Sequence, residues 1–83
     1  MTTQDAQTLT AELERRFGGQ VEAEEVGPGR FRFTMVSSGF VGVPQLRRQD
    51  DVWAVVDAAL SPEQTLEITL ILTFAPDEVQ MVP

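Results

Sequence analysis

The chain has 83 residues, enough for one domain with a modest core. It contains no His, Cys, Tyr or Lys, and 13 acidic residues against six arginines give a formal charge of −7. These absences remove imidazole and thiolate metal ligation, thiol nucleophiles and the usual carriers of protons near neutrality, while the charge opposes nucleic acid and anionic membranes. A single non-enzymatic domain that needs no cofactor and works by binding a protein is therefore expected.

Met1 to Gln7 is polar and has no basic stretch leading into an apolar run, so a cytoplasmic location is the default expectation. Residues 1–5 and 80–83 read as loose tails. From Thr8 to Phe17, Leu9, Leu13 and Phe17 recur every fourth residue, with Ala6 a turn earlier, which predicts a helix with one apolar stripe. Gly18 and Gly19 end it. Val21 to Val26 alternates weakly, with Val21 and Ala23 on one side and Glu22 and Glu24 on the other, as in an edge strand blunted by charge. Gly27-Pro28-Gly29 is a turn signal. Beyond it, Phe31, Phe33 and Met35 alternate inward against Arg30, Arg32 and Thr34, so the two segments form a hairpin.

Ser37 to Gln45 reads as a loop. Asp50 and Asp51 open a second helix whose apolar positions are Val52, Val55, Val56, Ala59 and Leu60. Ser61-Pro62-Glu63 breaks it. In the last strand Leu66, Ile68, Leu70, Leu72 and Phe74 share the core face, and Glu67, Thr69, Ile71 and Thr73 share the other. Ile71 then interrupts an exposed surface fit for a homodimer or a docked partner. Pro76 ends the strand, and Asp77 to Met81 has room for one helical turn. The expected class is α+β, in the order α-β-β-α-β, with two helices packed on one face of a three-stranded sheet. No segment is long and apolar enough to span a bilayer.

Val36-Ser37-Ser38-Gly39-Phe40-Val41-Gly42 resembles the V-S-x-x-F-x-G pattern of BolA-like proteins. Arg48, Val52-Trp53 and Leu60 continue in step with that family's R-H-R-x-V-Y-x-x-L helix, and Thr73 to Glu78 is similar to its T-x-T-P-x-E closing motif. The resemblance implies the same α-β-β-α-β fold, links to stress responses and transcriptional control, and a monothiol glutaredoxin as partner in iron–sulfur handling. Gln49 stands where the family has His and Asp50 where it has Arg, and the histidine that can ligate a cluster would fall at or beside Glu67. This chain has no histidine to supply, so what the resemblance leaves is the scaffold and its protein-binding surface.

The same fold is similar to the type II KH domain, and Gly39-Phe40-Val41-Gly42 spells the G-x-x-G that clamps a nucleic-acid backbone there. That makes a nucleic-acid binder the alternative. Turn glycines and a core anchor at Phe40 are the simpler account, and pairing of Arg47 and Arg48 with Asp50 and Asp51 is simpler than anchoring an acidic partner. Trp53 is expected either to seal the core edge or to stand out as a binding hot spot. Glu22, Glu24 and Glu25 read as a solvated edge, or as a dock for an arginine-rich partner. The candidate partner-binding residues are thus Gly39, Phe40, Val41, Gly42, Arg47, Arg48, Trp53 and Glu67, with no catalytic or metal-ligating residue among them.

Overall fold

The structure, a computed structural model, describes residues 1–79; the C-terminal tail expected over 80–83 lies outside them. Helix α1 spans Thr3–Phe17. It starts well before Thr8 because Thr2 caps it: the Thr2 hydroxyl accepts from the Asp5 N–H (3.1 Å) while the Thr2 N–H donates to the Asp5 carboxylate (2.9 Å). Residues 1–5 are therefore a capped helix start and not a loose tail. This earlier start buries Ala6 with Leu9 and Leu13 along one stripe. Gly19 follows at φ +74, where an added Cβ would lie 2.0 Å from the Val36 carbonyl oxygen, so only glycine lets the chain turn into the sheet here.

Strands β1 (Gln20–Gly27) and β2 (Arg30–Val36) form the antiparallel hairpin, joined through Pro28 and Gly29. Phe31, Phe33 and Met35 are buried, as the alternation requires. In β1, the edge strand, only Val21 is buried and Ala23 is exposed, against the expectation. A single 3-10 turn, Ser38–Phe40, follows β2.

Helix α2 spans Gln45–Ala59 and begins one and a half turns before Asp50. Pro44 precedes it with no side-chain cap. Tertiary bonds hold this first part instead: Gln45 Nε2 donates to the Thr73 carbonyl (2.9 Å) and Gln49 Nε2 to the Ile71 carbonyl (2.9 Å). Val52 and Val56 are fully buried, whereas Ala59 is exposed. A one-turn helix α3 (Pro62–Thr65), boxed by Ser61 and Gln64, leads to β3 (Ile68–Phe74), and α4 (Pro76–Val79) closes the described chain.

The sheet order is β1-β2-β3, with β3 parallel to β2, and α1 and α2 lie on one face, so the α-β-β-α-β class holds. The face of β3 does not match the expectation. Ile68 pairs with Phe31 but Leu70 pairs with Arg32, so Thr69 is an extra residue in the ladder. That bulge inverts the alternation after Ile68: Ile71, Thr73 and Ala75 enter the core, while Leu70 is 47% exposed. Leu66 is 84% exposed for a different reason, since it caps α3 and lies before the strand begins. Ile71 and Thr73 are consequently not available as an outer docking surface.

Candidate partner-binding surface

The three segments that carry the resemblance meet around one guanidinium. Arg48 is buried, and each of its five N–H donors is matched. Nε donates to the Val43 carbonyl (2.7 Å), and the two terminal nitrogens reach the Phe40 (2.7 Å) and Thr73 (3.2 Å) carbonyls and both oxygens of Glu78 (2.7 and 3.0 Å). Its carbon also sits 5.6 Å from the Phe40 ring centre. The bidentate Arg48 bond, then the Ala75 N–H, hold the Glu78 carboxyl at about 2, and Glu78 in turn pushes the Arg48 guanidinium upward. Ser37 closes the same corner, its hydroxyl donating to the Phe17 carbonyl (2.6 Å). The corner pins α4 to the end of β3 and so fixes what stands on the far side of the sheet.

Among the described residues neither α1 nor α2 covers that far side, and only Val79 of α4 borders it at one end. Successive registers place Glu24, Arg32 and Leu70 in one row, Glu22, Thr34 and Leu72 in the next, and Gln20, Val36 and Phe74 in the last. The face is thus acidic along β1, mixed along β2 and apolar along β3, with an Arg32–Glu24 ion pair across it. At one end Gln20, Glu22, Thr34, Val36, Phe74 and Val79 line a hollow of about 360 Å³. Such a face can hold an apolar side chain of a partner and flank it with charge.

The residues singled out in the sequence do not form one site. Phe40 and Arg48 point inward, Phe40 packing on Phe17 (5.8 Å between ring centres), so both hold the fold together. Val41, Gly42 and Arg47 are exposed at the same corner, with Arg47 near Asp51 (3.6 Å). Gly42 has φ +75, whereas Gly39 does not need a positive φ, and its would-be Cβ meets Ser37 Oγ at 3.4 Å. With Arg48 committed to Glu78 and Arg47 beside Asp51, the KH-like alternative is not favoured. Trp53 is half-buried at the core margin, its indole N–H donating to Gln49 Oε1 (3.2 Å). Glu67 lies at the opposite end of β3 and pairs with the Met1 amine. A carboxylate so placed, in a chain with neither imidazole nor thiolate, does not fit a cluster-ligating position.

Sequence reasoning missed Leu70, Leu72 and Phe74 as surface residues, because a one-residue bulge leaves no compositional mark. The Arg48–Glu78 pair had a signal, since both residues stand in matched motif positions. Among the described residues no helix is long and apolar enough to cross a membrane, and no group of three or more His, Cys, Asp or Glu is arranged to hold a metal.

A scan against protein families and a search of characterised proteins each found no match. Among solved structures, the chain is similar to BolA1 from Arabidopsis thaliana, with a TM-score of 0.72 and 19% sequence identity, over 89% of this chain and 94% of that one. The likeness concerns the fold, which is BolA-like.

Proposed function

We propose that this BolA-like fold serves as a non-catalytic, cytoplasmic protein-interaction module, and that the uncovered face of the sheet is where the partner sits. The observation that supports the reading is the row of Leu70, Leu72 and Phe74 turned to the outside in a chain stripped of imidazole, thiol, phenol and amine side chains. An apolar stripe beside a charged one is what a protein surface with an apolar core and a polar rim complements. The resemblance adds a monothiol glutaredoxin as the first partner to try and a stress-related setting. With no histidine, the contribution of this chain to any such complex is contact and not cluster ligation.

The reading is tested by quantitative affinity capture with the parent chain and with Leu70→Glu and Leu72→Glu. Both variants change exposed or half-buried side chains and leave the core intact. Proteins held by the parent and released by both variants support it, as does direct calorimetric binding of a purified monothiol glutaredoxin that the variants abolish. Identical recoveries from all three chains, or turnover of a substrate by the purified protein, would overturn it. A second copy of the chain on this face would appear as a concentration-dependent mass that the same variants suppress.

A further inference from the structure

The two edges of the sheet are treated differently by the rest of the fold. Along β3, Gln45 and Gln49 of α2 occupy the Thr73 and Ile71 carbonyls, so the outward acceptors of that edge are already taken. Along β1 the hydrogen-bond phase can be followed residue by residue. The Phe31 N–H donates toward β3, to the Glu67 carbonyl (3.0 Å), and the Val21 N–H turns away from β2 to donate to Glu14 Oε2 (3.0 Å). Inward and outward residues alternate in an antiparallel pair. Gln20, Glu22 and Glu24 therefore bond to β2 opposite Val36, Thr34 and Arg32, and Val21, Ala23 and Glu25 present their backbone groups outward. Among the described residues nothing bonds the outward N–H and C=O of Ala23, whose small side chain is exposed.

Charge decides what this open strand can accept. If a second copy paired with it antiparallel, Ala23 against Ala23, Glu22 of each chain would face Glu24 of the other, and directly opposed like charges destabilise a sheet. The formal charge of −7 adds to that repulsion. Glu24 also meets Arg32, and Glu25 accepts the Gly29 N–H (3.1 Å), while Glu22 has no partner among the described residues. A strand with basic side chains at every second position would set them beside Glu22 and Glu24 on the outer face. Its backbone would meet Ala23.

We propose that the β1 edge receives an extended segment of a protein partner, with Arg or Lys at alternate positions, as a fourth strand. This rests on the reading of the chain as an interaction module, and it names the chemistry of one partner segment. The probe is a blocked synthetic peptide alternating arginine and valine, compared with a peptide of the same composition whose arginines are in one block. With the full 15N-labelled chain, the alternating peptide is expected to slow amide exchange at Ala23 and Glu25 roughly tenfold or more. Glu22→Gln should weaken it roughly two- to fivefold, the size of one cross-strand charge pair. Ala23→Pro removes an outward N–H that plays no part in the ladder with β2, so it should abolish binding at an unchanged melting midpoint.

Unaltered exchange at Ala23, equal affinity for the Ala23→Pro chain, or equal protection by the blocked-arginine peptide would each overturn the proposal in favour of an edge merely guarded against its own kind. If Ala23→Pro fails to fold, the exchange rates of the parent and the Glu22→Gln chain decide alone. Failure here leaves the outer-face reading standing, since that is measured through Leu70 and Leu72.

Discussion

Ile71 and Leu70 are neighbours on β3, and the bulge at Thr69 decides which of them is core. Truncating each to alanine measures that decision directly. Ile71 is 2% exposed, so Ile71→Ala removes three fully buried carbons, worth about 2.4 kcal/mol at ~0.8 each, and leaves a cavity that raises the cost to about 3–4 kcal/mol. Leu70 is about half exposed and abuts solvent, so the same three carbons cost about 1 kcal/mol with no cavity to add. In a domain of this size each kcal/mol moves the melting midpoint by about 4–8 °C, which predicts a fall of about 12–30 °C for Ile71→Ala and roughly 5 °C for Leu70→Ala. Urea denaturation followed by Trp53 fluorescence gives the free energies, and Ile71→Val, at about 1 kcal/mol, serves if the alanine variant is unfolded. Equal losses, or a larger one at Leu70, would mean that the alternation runs unbroken and that the outer face has been misassigned.

Deleting Thr69 should be tolerated better than Ile71→Ala, because it returns Ile68, Leu70 and Ile71 to simple alternation opposite Phe31, Arg32 and Phe33; circular dichroism melting would show it. The Glu78 carboxyl, held at about 2 against an ordinary 4.5, contributes stability that is complete above about pH 4.5 and is lost as pH falls toward 2. Glu78→Gln should therefore lower the midpoint at neutral pH and flatten its dependence across that acid window; a parent-like slope would contradict the assignment. Gly19→Ala forces a side chain into a left-handed conformation at about 1–3 kcal/mol, with the clash on Val36 added, and expression of soluble protein with an unshifted denaturation midpoint would refute the close approach. Gln49→Ala leaves the Ile71 carbonyl without its α2 donor and should cost about 1 kcal/mol, with faster amide exchange along β3 as the check.

Hydrophobic period alone was enough for α1, for β2 and for the middle of α2, because Leu9, Leu13, Phe31, Phe33, Met35, Val52 and Val56 each repeat with the spacing of their element. The element order and the absence of reactive side chains were equally legible, since neither depends on how segments meet. Three matters were decided only in the folded chain. The early start of α2 rests on Gln45, Gln49 and Arg48 bonding to groups about 25 residues away in sequence, which no local propensity encodes. Phe40 is buried as a core anchor, the simpler of its two readings, but the inward turn of Arg48 was not legible, because its partner is Glu78, 30 residues away, and not the neighbouring Asp50 or Asp51.

The third matter is the outer face. Leu66 to Phe74 alternates so regularly that the pattern favours one face for all its leucines, yet strand pairing, and not composition, sets the register. One unpaired residue at Thr69 exchanges the two sides of β3. The physical reason is that side-chain direction in a strand depends on the parity of pairing with its neighbour, a property shared by two segments and carried by neither alone.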